Sequence, residues 1–98
     1  MDKGSQELQN FLIALGQNPG GVSDKITRYM QSILHLLSVP EESALILYYG
    51  LFGNNVRPLD YIASSMKVSE EEAQRVIETA LRRLSVTPEW QMLKGMVC

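Results

Sequence analysis

The chain has 98 residues, of which 45% are hydrophobic and 20% are charged, with 7 glycines and 4 prolines. A chain of this length forms one small domain, because two independent cores would each bury too little surface. The composition is typical of folded globular proteins and excludes collagen-like and disordered chains. The formal net charge of −2 excludes a general surplus of Lys and Arg, so any contact with nucleic acid must come from a local patch. We expect a single helical domain over residues 1–98.

The sequence carries no signal for a membrane or for secretion. The sole cysteine, Cys98, predicts neither an intramolecular disulfide nor a cysteine-based metal site. No stretch approaches the roughly 18–20 apolar residues of a membrane span, and the N-terminal stretch MDKGSQELQ lacks the apolar core of a secretory signal. These features predict a cytoplasmic protein.

The first half of the chain predicts two amphipathic helices and no strands. Ser5 is placed to cap a first helix, and Gly16 with the Asn-Pro-Gly-Gly that follows ends it. Ser23 or Asp24 then opens a second helix with the same apolar period. Residues 1–22 are therefore predicted to form an N-terminal helix and its loop.

The second half predicts three further helices. Ser38 and Glu41 form a capping box at the start of a third helix, which ends at a turn rich in glycine and asparagine. A short fourth helix begins near Pro58, and Ser69 with Glu72 forms a second capping box that opens a longer fifth helix. The predicted fold class is therefore all-α, with about five helices.

The C-terminal segment 87–98 interrupts this pattern at Thr87-Pro88 and leaves a short apolar tail. This tail is either a last helical turn packed on the domain or a contact surface. Trp90 and Met92 are therefore candidates for binding a partner, since exposed aromatic residues are typical of interface anchors. Packing against the first helix is the alternative for these two residues.

The sequence contains no arrangement typical of catalysis or of metal binding. His35 is the only histidine, and a lone helical histidine is more often structural or solvated than catalytic. Phosphate-loop, zinc-protease, nucleophile-elbow and dinucleotide motifs are absent. The consecutive glutamates at 70–72 point about 100° apart on a helix, so they cannot converge on one cation. We therefore predict no enzyme activity, no cofactor and no metal.

The fourth and fifth predicted helices, joined by a tight turn, form the pattern of a helix-turn-helix. Many small helical domains contain such a pair, so the spacing alone leaves the function open. The segments LSVPEESALILYYGL and PLDYIASSMKVSEEEAQRVIETALRRL resemble region 4 of bacterial RNA polymerase sigma factors. That family typically has L-T-x-R-E-x-x-V-L-x-L-R-Y-G-L and T-L-E-E-I-G-x-x-x-x-V-T-R-E-R-V-R-Q-I-E-x-K-A-L-x-K-L. The resemblance covers about half of the chain and implies a region-4-like unit over residues 23–86.

The resemblance implies a helix-turn-helix whose second helix enters the major groove of the promoter −35 element. The helices before it would hold the flap of the polymerase β subunit. Tyr48 stands where the family has Arg and is a candidate partner contact, whereas Tyr49 matches a core aromatic residue. Three candidate DNA contacts, Arg75, Thr79 and Arg82, are spaced to share one exposed stripe. The resemblance and the basic side chains of this segment together give the candidate DNA-binding residues Arg57, Lys67, Ser69, Gln74, Arg75, Thr79 and Arg82.

The fifth helix departs from the family at the end that would enter the groove. Where the family has Arg-Glu-Arg, this chain has Glu70-Glu71-Glu72, and Gln74 and Thr79 stand where the family has Arg and Lys. Replacing two Arg by Glu changes the local charge by about four units, and carboxylates repel phosphates and accept essentially only from cytosine N4. Weak DNA affinity is therefore expected.

Two functions remain open at the level of sequence. The first is a transcription-associated helix-turn-helix protein that contacts promoter DNA, RNA polymerase or both. The second is a degenerate helix-turn-helix that serves as a protein-interaction or dimerisation module without DNA binding, as the three glutamates and the net charge of −2 indicate. The expected partners are promoter DNA, the polymerase flap or another transcription protein, and a second copy of the chain.

Overall fold

The computed structural model of the chain describes residues 2–21 and 23–97, and Cys98, predicted to lack an intramolecular partner, lies outside them. Over the described residues the protein is all-helical, as predicted. The sequence analysis expected about five helices, and the structure has one more because the C-terminal tail forms a helix of its own. The six α-helices of the described residues are α1 Lys3–Gln17, α2 Asp24–Leu34, α3 Val39–Tyr49, α4 Leu59–Met66, α5 Glu70–Ser85 and α6 Pro88–Val97, with a 3₁₀ turn at Pro19–Gly21 after α1.

Helices α2 and α3 begin at the capping residues that the sequence predicts. The hydroxyl of Ser23 accepts a hydrogen bond of 3.3 Å from the backbone N–H three residues later, at the first turn of α2. At the start of α3, the carboxylate of Glu41 accepts hydrogen bonds from the backbone N–H and the hydroxyl of Ser38. These contacts satisfy groups that a helix end otherwise leaves unpaired.

The start of α1 differs from the prediction. Asp2, and not Ser5, is the capping residue, because its carboxylate accepts a hydrogen bond of 2.7 Å from the backbone N–H of Ser5. This hydrogen bond is the main cause of the lowered pKa of Asp2. Ser5 itself lies inside the helix and is buried.

Helix α5 lies at the centre of the domain and packs against α1, α3, α4 and α6. Helix α6 packs against α2 and α5, and it also contacts α1 through the rings of Trp90 and Phe11. None of the described helices has both the length and the apolar character that crossing a membrane requires. The core is formed mainly by aliphatic side chains, among them Leu8, Leu12, Met30, Ile33, Leu34, Leu45, Leu51, Ile62, Leu81, Leu84 and Leu93.

The contact between α1 and α3 depends on one glycine. Gly16, in the last turn of α1, lies so close to the end of α3 that a Cβ atom there would overlap the carbonyl oxygen of Tyr49 and lie 3.2 Å from its carbonyl carbon. Gly50 then ends α3 in the left-handed conformation, with φ 64°, which glycine adopts without steric cost. The glycines therefore allow α1 to lie directly against the C-terminal end of α3.

Candidate nucleic-acid interface

Helices α4 and α5 form a helix-turn-helix with a three-residue turn. Lys67 ends α4 in the left-handed conformation, with φ 60°, and the N–H of Val68 donates a hydrogen bond of 3.0 Å to the carbonyl of Ala63. The hydroxyl of Ser69 accepts a hydrogen bond of 3.2 Å from the N–H of Glu72 and so caps α5. The turn is therefore fixed by hydrogen bonds on both of its sides.

The buried face of α5 holds it in this position and leaves an outer face exposed. Ala73 and Ala80 have no exposed surface, and these small side chains allow close approach of the neighbouring helices. The buried residues of α5 recur with the period of a helix and so lie on one face. The outer face of α5 consists of the exposed residues Glu71, Gln74, Arg75, Glu78 and Arg82.

Most of the predicted DNA contacts lie on the surface of the helix-turn-helix. Thr79 is half-buried, as is Val76 one turn earlier, and so departs from the exposed stripe predicted for it with Arg75 and Arg82. Gln74 lies on the outer face beside the two arginines. Of the seven candidates, five are exposed (Lys67, Ser69, Gln74, Arg75 and Arg82) and two are half-buried (Arg57 and Thr79).

Ion pairs already engage two arginines of α5. The guanidinium of Arg75 lies 2.8 Å from the carboxylate of Glu72, one turn away. The guanidinium of Arg83 binds both carboxylate oxygens of Glu41, at 2.9 and 3.1 Å, and so ties α5 to the start of α3. Among the described residues Glu70 and Glu71 form no ion pair. The leading end of α5 is therefore negative, as the sequence predicts.

Tyr61 adds an aromatic side chain to this surface that the sequence analysis missed. It is exposed on α4, and the guanidinium carbon of Arg57 lies 4.9 Å from the centre of its ring. A cation over a tyrosine ring at this distance is attracted by the ring electrons. The separation of four residues between Arg57 and Tyr61 was the only feature of the sequence that could have indicated this contact. The contact holds Arg57 at the start of α4.

An apolar groove lies between α3 and α4, beside the helix-turn-helix. Its volume is about 310 Å³, and Val39 at its edge is 78% exposed. Leu36, in the link before α3, is exposed as well. In the sequence, the groove was indicated only by Leu36 and Val39, two apolar residues that do not belong to the apolar face of a predicted helix. The groove is lined by Val39, Pro40, Ser43, Ala44, Leu47, Ile62, Ser65 and Met66.

The three predicted partner contacts lie in different environments. Trp90 is only 1% exposed and its ring packs 5.6 Å from that of Phe11 in α1, so it belongs to the core and its prediction as a partner contact is wrong. Met92 is exposed on the outer side of α6. Tyr48 is half-buried and packs edge-to-face on Tyr49, with ring centres 5.0 Å apart. Tyr49 is in the core, as predicted.

His35 contacts a carboxylate of the neighbouring helix. Its Nδ1 atom lies 2.8 Å from the carboxylate of Glu42, so it links the end of α2 to α3. In the part of the chain that the structure describes, no three His, Cys, Asp or Glu side chains are grouped as metal ligands would be.

Comparison with family models, with curated proteins and with solved structures gave no match for this chain. The resemblance to sigma region 4 therefore rests on the quoted sequence segments alone.

Proposed function

We propose that the chain is a transcription-associated helix-turn-helix protein that contacts promoter DNA through the outer face of α5 and RNA polymerase through the groove between α3 and α4. The observation that carries this proposal is the exposed outer face of α5, on a helix-turn-helix whose turn is fixed at both sides. Gln74, Arg75 and Arg82 on this face supply amide and guanidinium donors, the groups that contact base edges and phosphates. The resemblance to sigma region 4 supports the same arrangement.

The charges on α5 imply that DNA contact alone is weak. Arg75 must leave Glu72 to contact a phosphate, which costs little because exposed ion pairs contribute about 0–1 kcal/mol. Repulsion between the phosphates and Glu70 and Glu71 is the larger penalty. A second contact with the polymerase would make the DNA contact effectively intramolecular and so compensate for its low affinity.

The groove between α3 and α4 is suited to the polymerase contact. Its walls are mainly aliphatic, and Val39 at its edge is largely exposed. Apolar surfaces of this kind mark interaction sites on soluble proteins. The sigma resemblance implies that the helices preceding the helix-turn-helix hold the polymerase flap, and α3 is one of these helices.

Fluorescence anisotropy with promoter-like and scrambled duplexes, at about 50 and 200 mM salt, tests the DNA contact. We expect weak binding that falls steeply with salt, and a loss of roughly tenfold or more for the double variant Arg75→Ala with Arg82→Ala. Arg28→Ala is the matched control, because Arg28 is an exposed arginine on α2, outside the helix-turn-helix. Equal effects of the control and the double variant would show that α5 does not face the DNA.

A second variant tests the same surface by gain of affinity. Glu70→Arg with Glu72→Arg introduces the arginines that the sigma motif has at these positions. If the leading end of α5 enters the groove, affinity should rise and the salt dependence should steepen by about one unit for each new phosphate contact. Affinity that stays at the wild-type level would contradict the proposed orientation.

A protein-interaction module without DNA binding is the second candidate. It is favoured by the negative leading end of α5 and by the ion pairs that engage Arg75 and Arg83. Co-purification with core RNA polymerase separates the partner contact from the DNA contact. Val39→Asp, in the groove, should reduce co-purification, whereas Val86→Asp should not, since Val86 is similarly exposed (76%) but lies outside the groove. Polymerase binding with no DNA binding by either the wild type or the Glu70→Arg, Glu72→Arg variant would favour the second candidate.

A further inference from the structure

A small polar cleft lies beside the outer face of α5, where α1, α3 and α4 meet this helix. Its volume is about 130 Å³, and its walls combine apolar side chains with two tyrosines, two glutamines and one carboxylate. Gln9 belongs to α1, the tyrosines belong to α3, and Gln74 and Glu78 belong to α5, so the cleft depends on the packing of these helices. Its lining residues are Gln9, Tyr48, Tyr49, Leu59, Gln74, Ile77, Glu78 and Leu81.

Tyr49 lines the cleft, but its hydroxyl is buried away from it. The residue is only 6% exposed, and its hydroxyl oxygen has almost no accessible surface. Burial, followed by the neighbouring Tyr48, raises the pKa of Tyr49 to about 12, and the Gln9 amide offsets part of the rise. Tyr49 is therefore neutral at physiological pH and contributes packing, not charge, to the cleft.

Glu78 gives the cleft a negative charge that no cation of the described chain neutralises by contact. Its carboxylate accepts a hydrogen bond of 3.3 Å from the amide of Gln74. Arg75 and Arg82 lie one turn away on either side, yet neither forms an ion pair with it. The cleft therefore offers a carboxylate and amide oxygens, which are hydrogen-bond acceptors.

The size and shape of the cleft restrict the occupant to one small group. A volume of about 130 Å³ corresponds to about four water molecules, well below the roughly 300 Å³ or more of sites for drug-sized ligands. A guanidinium group is planar and carries five N–H donors, so it can bind several acceptors at once and stack on a tyrosine ring. An ammonium group would use fewer of these acceptors.

We propose that this cleft binds the guanidinium group of an arginine side chain in a partner protein. The carboxylate of Glu78 pairs with the guanidinium at the open side of the cleft, because Glu78 is the exposed acid among the lining residues. The glutamine side chains accept its remaining N–H groups, and Tyr48 lies against its flat face.

The proposal is tested by nuclear magnetic resonance on the ¹⁵N-labelled full chain, with the peptide acetyl-Gly-Arg-Gly-amide as the probe. The peptide should produce saturable shifts in the side-chain amide signals of Gln9 and Gln74. A twin peptide with citrulline in place of arginine keeps the shape but lacks the charge, and should bind about tenfold more weakly or worse. Free arginine is a third probe, and tighter binding of free arginine than of the peptide would overturn the assignment to a protein partner.

Two variants localise the binding within the cleft. Glu78→Gln should weaken binding of the arginine peptide by about threefold to fivefold, because it removes one exposed ion pair. Glu71→Gln is the matched control, since Glu71 is an exposed acid on the same face of α5 but outside the cleft, and should change affinity by less than about twofold. Spectra of the free variants verify that both are folded.

Several results would overturn the proposal. They are the absence of saturable shifts, equal binding of the arginine and citrulline peptides, and equal weakening by Glu71→Gln and Glu78→Gln. Because DNA is absent from every sample, none of these results bears on the proposed DNA contact.

Discussion

The substitution Gly16→Ala tests whether α1 lies against α3 as closely as the structure shows. A methyl group at this position would overlap the carbonyl oxygen of Tyr49 and lie 3.2 Å from its carbonyl carbon. Both partners are backbone atoms, so the overlap cannot be relieved by rotating a side chain. Helix α1 would therefore have to move away from the end of α3.

The expected magnitude is the difference between two opposing effects. Alanine is favoured over glycine inside a helix by roughly 0.5–1 kcal/mol. Overpacking of a tightly packed contact costs about 1–3 kcal/mol, and backbone overlap falls at the upper end of this range. The net loss in the free energy of unfolding should be about 2 kcal/mol, which lowers the melting temperature by roughly 8–16 °C in a domain of this size.

Thermal unfolding followed by circular dichroism measures this change. Gly95→Ala is the matched control, because Gly95 is also in a helix but a Cβ atom there would meet nothing within 4 Å. We expect Gly95→Ala to raise the melting temperature by a few degrees through helix propensity alone. If Gly16→Ala were as stable as Gly95→Ala, the close contact between α1 and α3 would be wrong.

Three further substitutions test the core, a helix cap and a titrating group. Trp90→Ala should lower the free energy of unfolding by about 3–5 kcal/mol in urea titrations, because its buried ring packs on α1; a loss below about 1 kcal/mol would contradict its burial. Ser69→Ala should cost about 1 kcal/mol by removing the cap of α5, and an unchanged urea midpoint would argue against that cap. The raised pKa of Tyr49 stabilises the folded state below about pH 10, and this contribution is lost as the pH rises towards 12. Tyr49→Phe should therefore reduce the alkaline loss of stability, and an identical pH profile would show that Tyr49 does not cause it.

The helices that the sequence predicted well are those with local signals at their ends. Ser23, Ser38 and Ser69 mark helix starts, and the structure confirms all three. A cap and an apolar period lie within one short stretch of chain, so both can be recognised without knowledge of the fold. The start of α1 was misplaced because both Asp2 and Ser5 are suitable capping residues, and only the backbone geometry decides between them.

Helix α6 was not predicted as a complete helix because long-range contacts stabilise it. A helix of 10 residues is marginal in isolation and gains most of its stability from packing. Trp90 packs on Phe11, and Lys94 forms an ion pair with Glu7 of α1. The apolar residues of the tail predicted that it would pack on the domain or contact a partner. They did not predict that α1 and α2 would cover it.

The candidate sites show the same division between local and long-range information. The helical period placed Gln74, Arg75 and Arg82 on the surface of α5. The pairing of Arg83 with Glu41 joins residues 42 positions apart, and no local pattern encodes such a contact. The cleft between Gln9 and Glu78 was beyond prediction for the same reason, since it requires the packing of α1 on α5.

Ile77 departs from the sigma motif on the buried side of α5. The motif quoted above has a glutamate at this position, whereas Ile77 is buried and lines the cleft together with Gln9 of α1. A glutamate here would be a buried charge, whereas isoleucine suits the packing of α5 against its neighbours. Because this side of α5 is buried, the outer face left for a partner is the narrower stripe that includes Arg75 and Arg82.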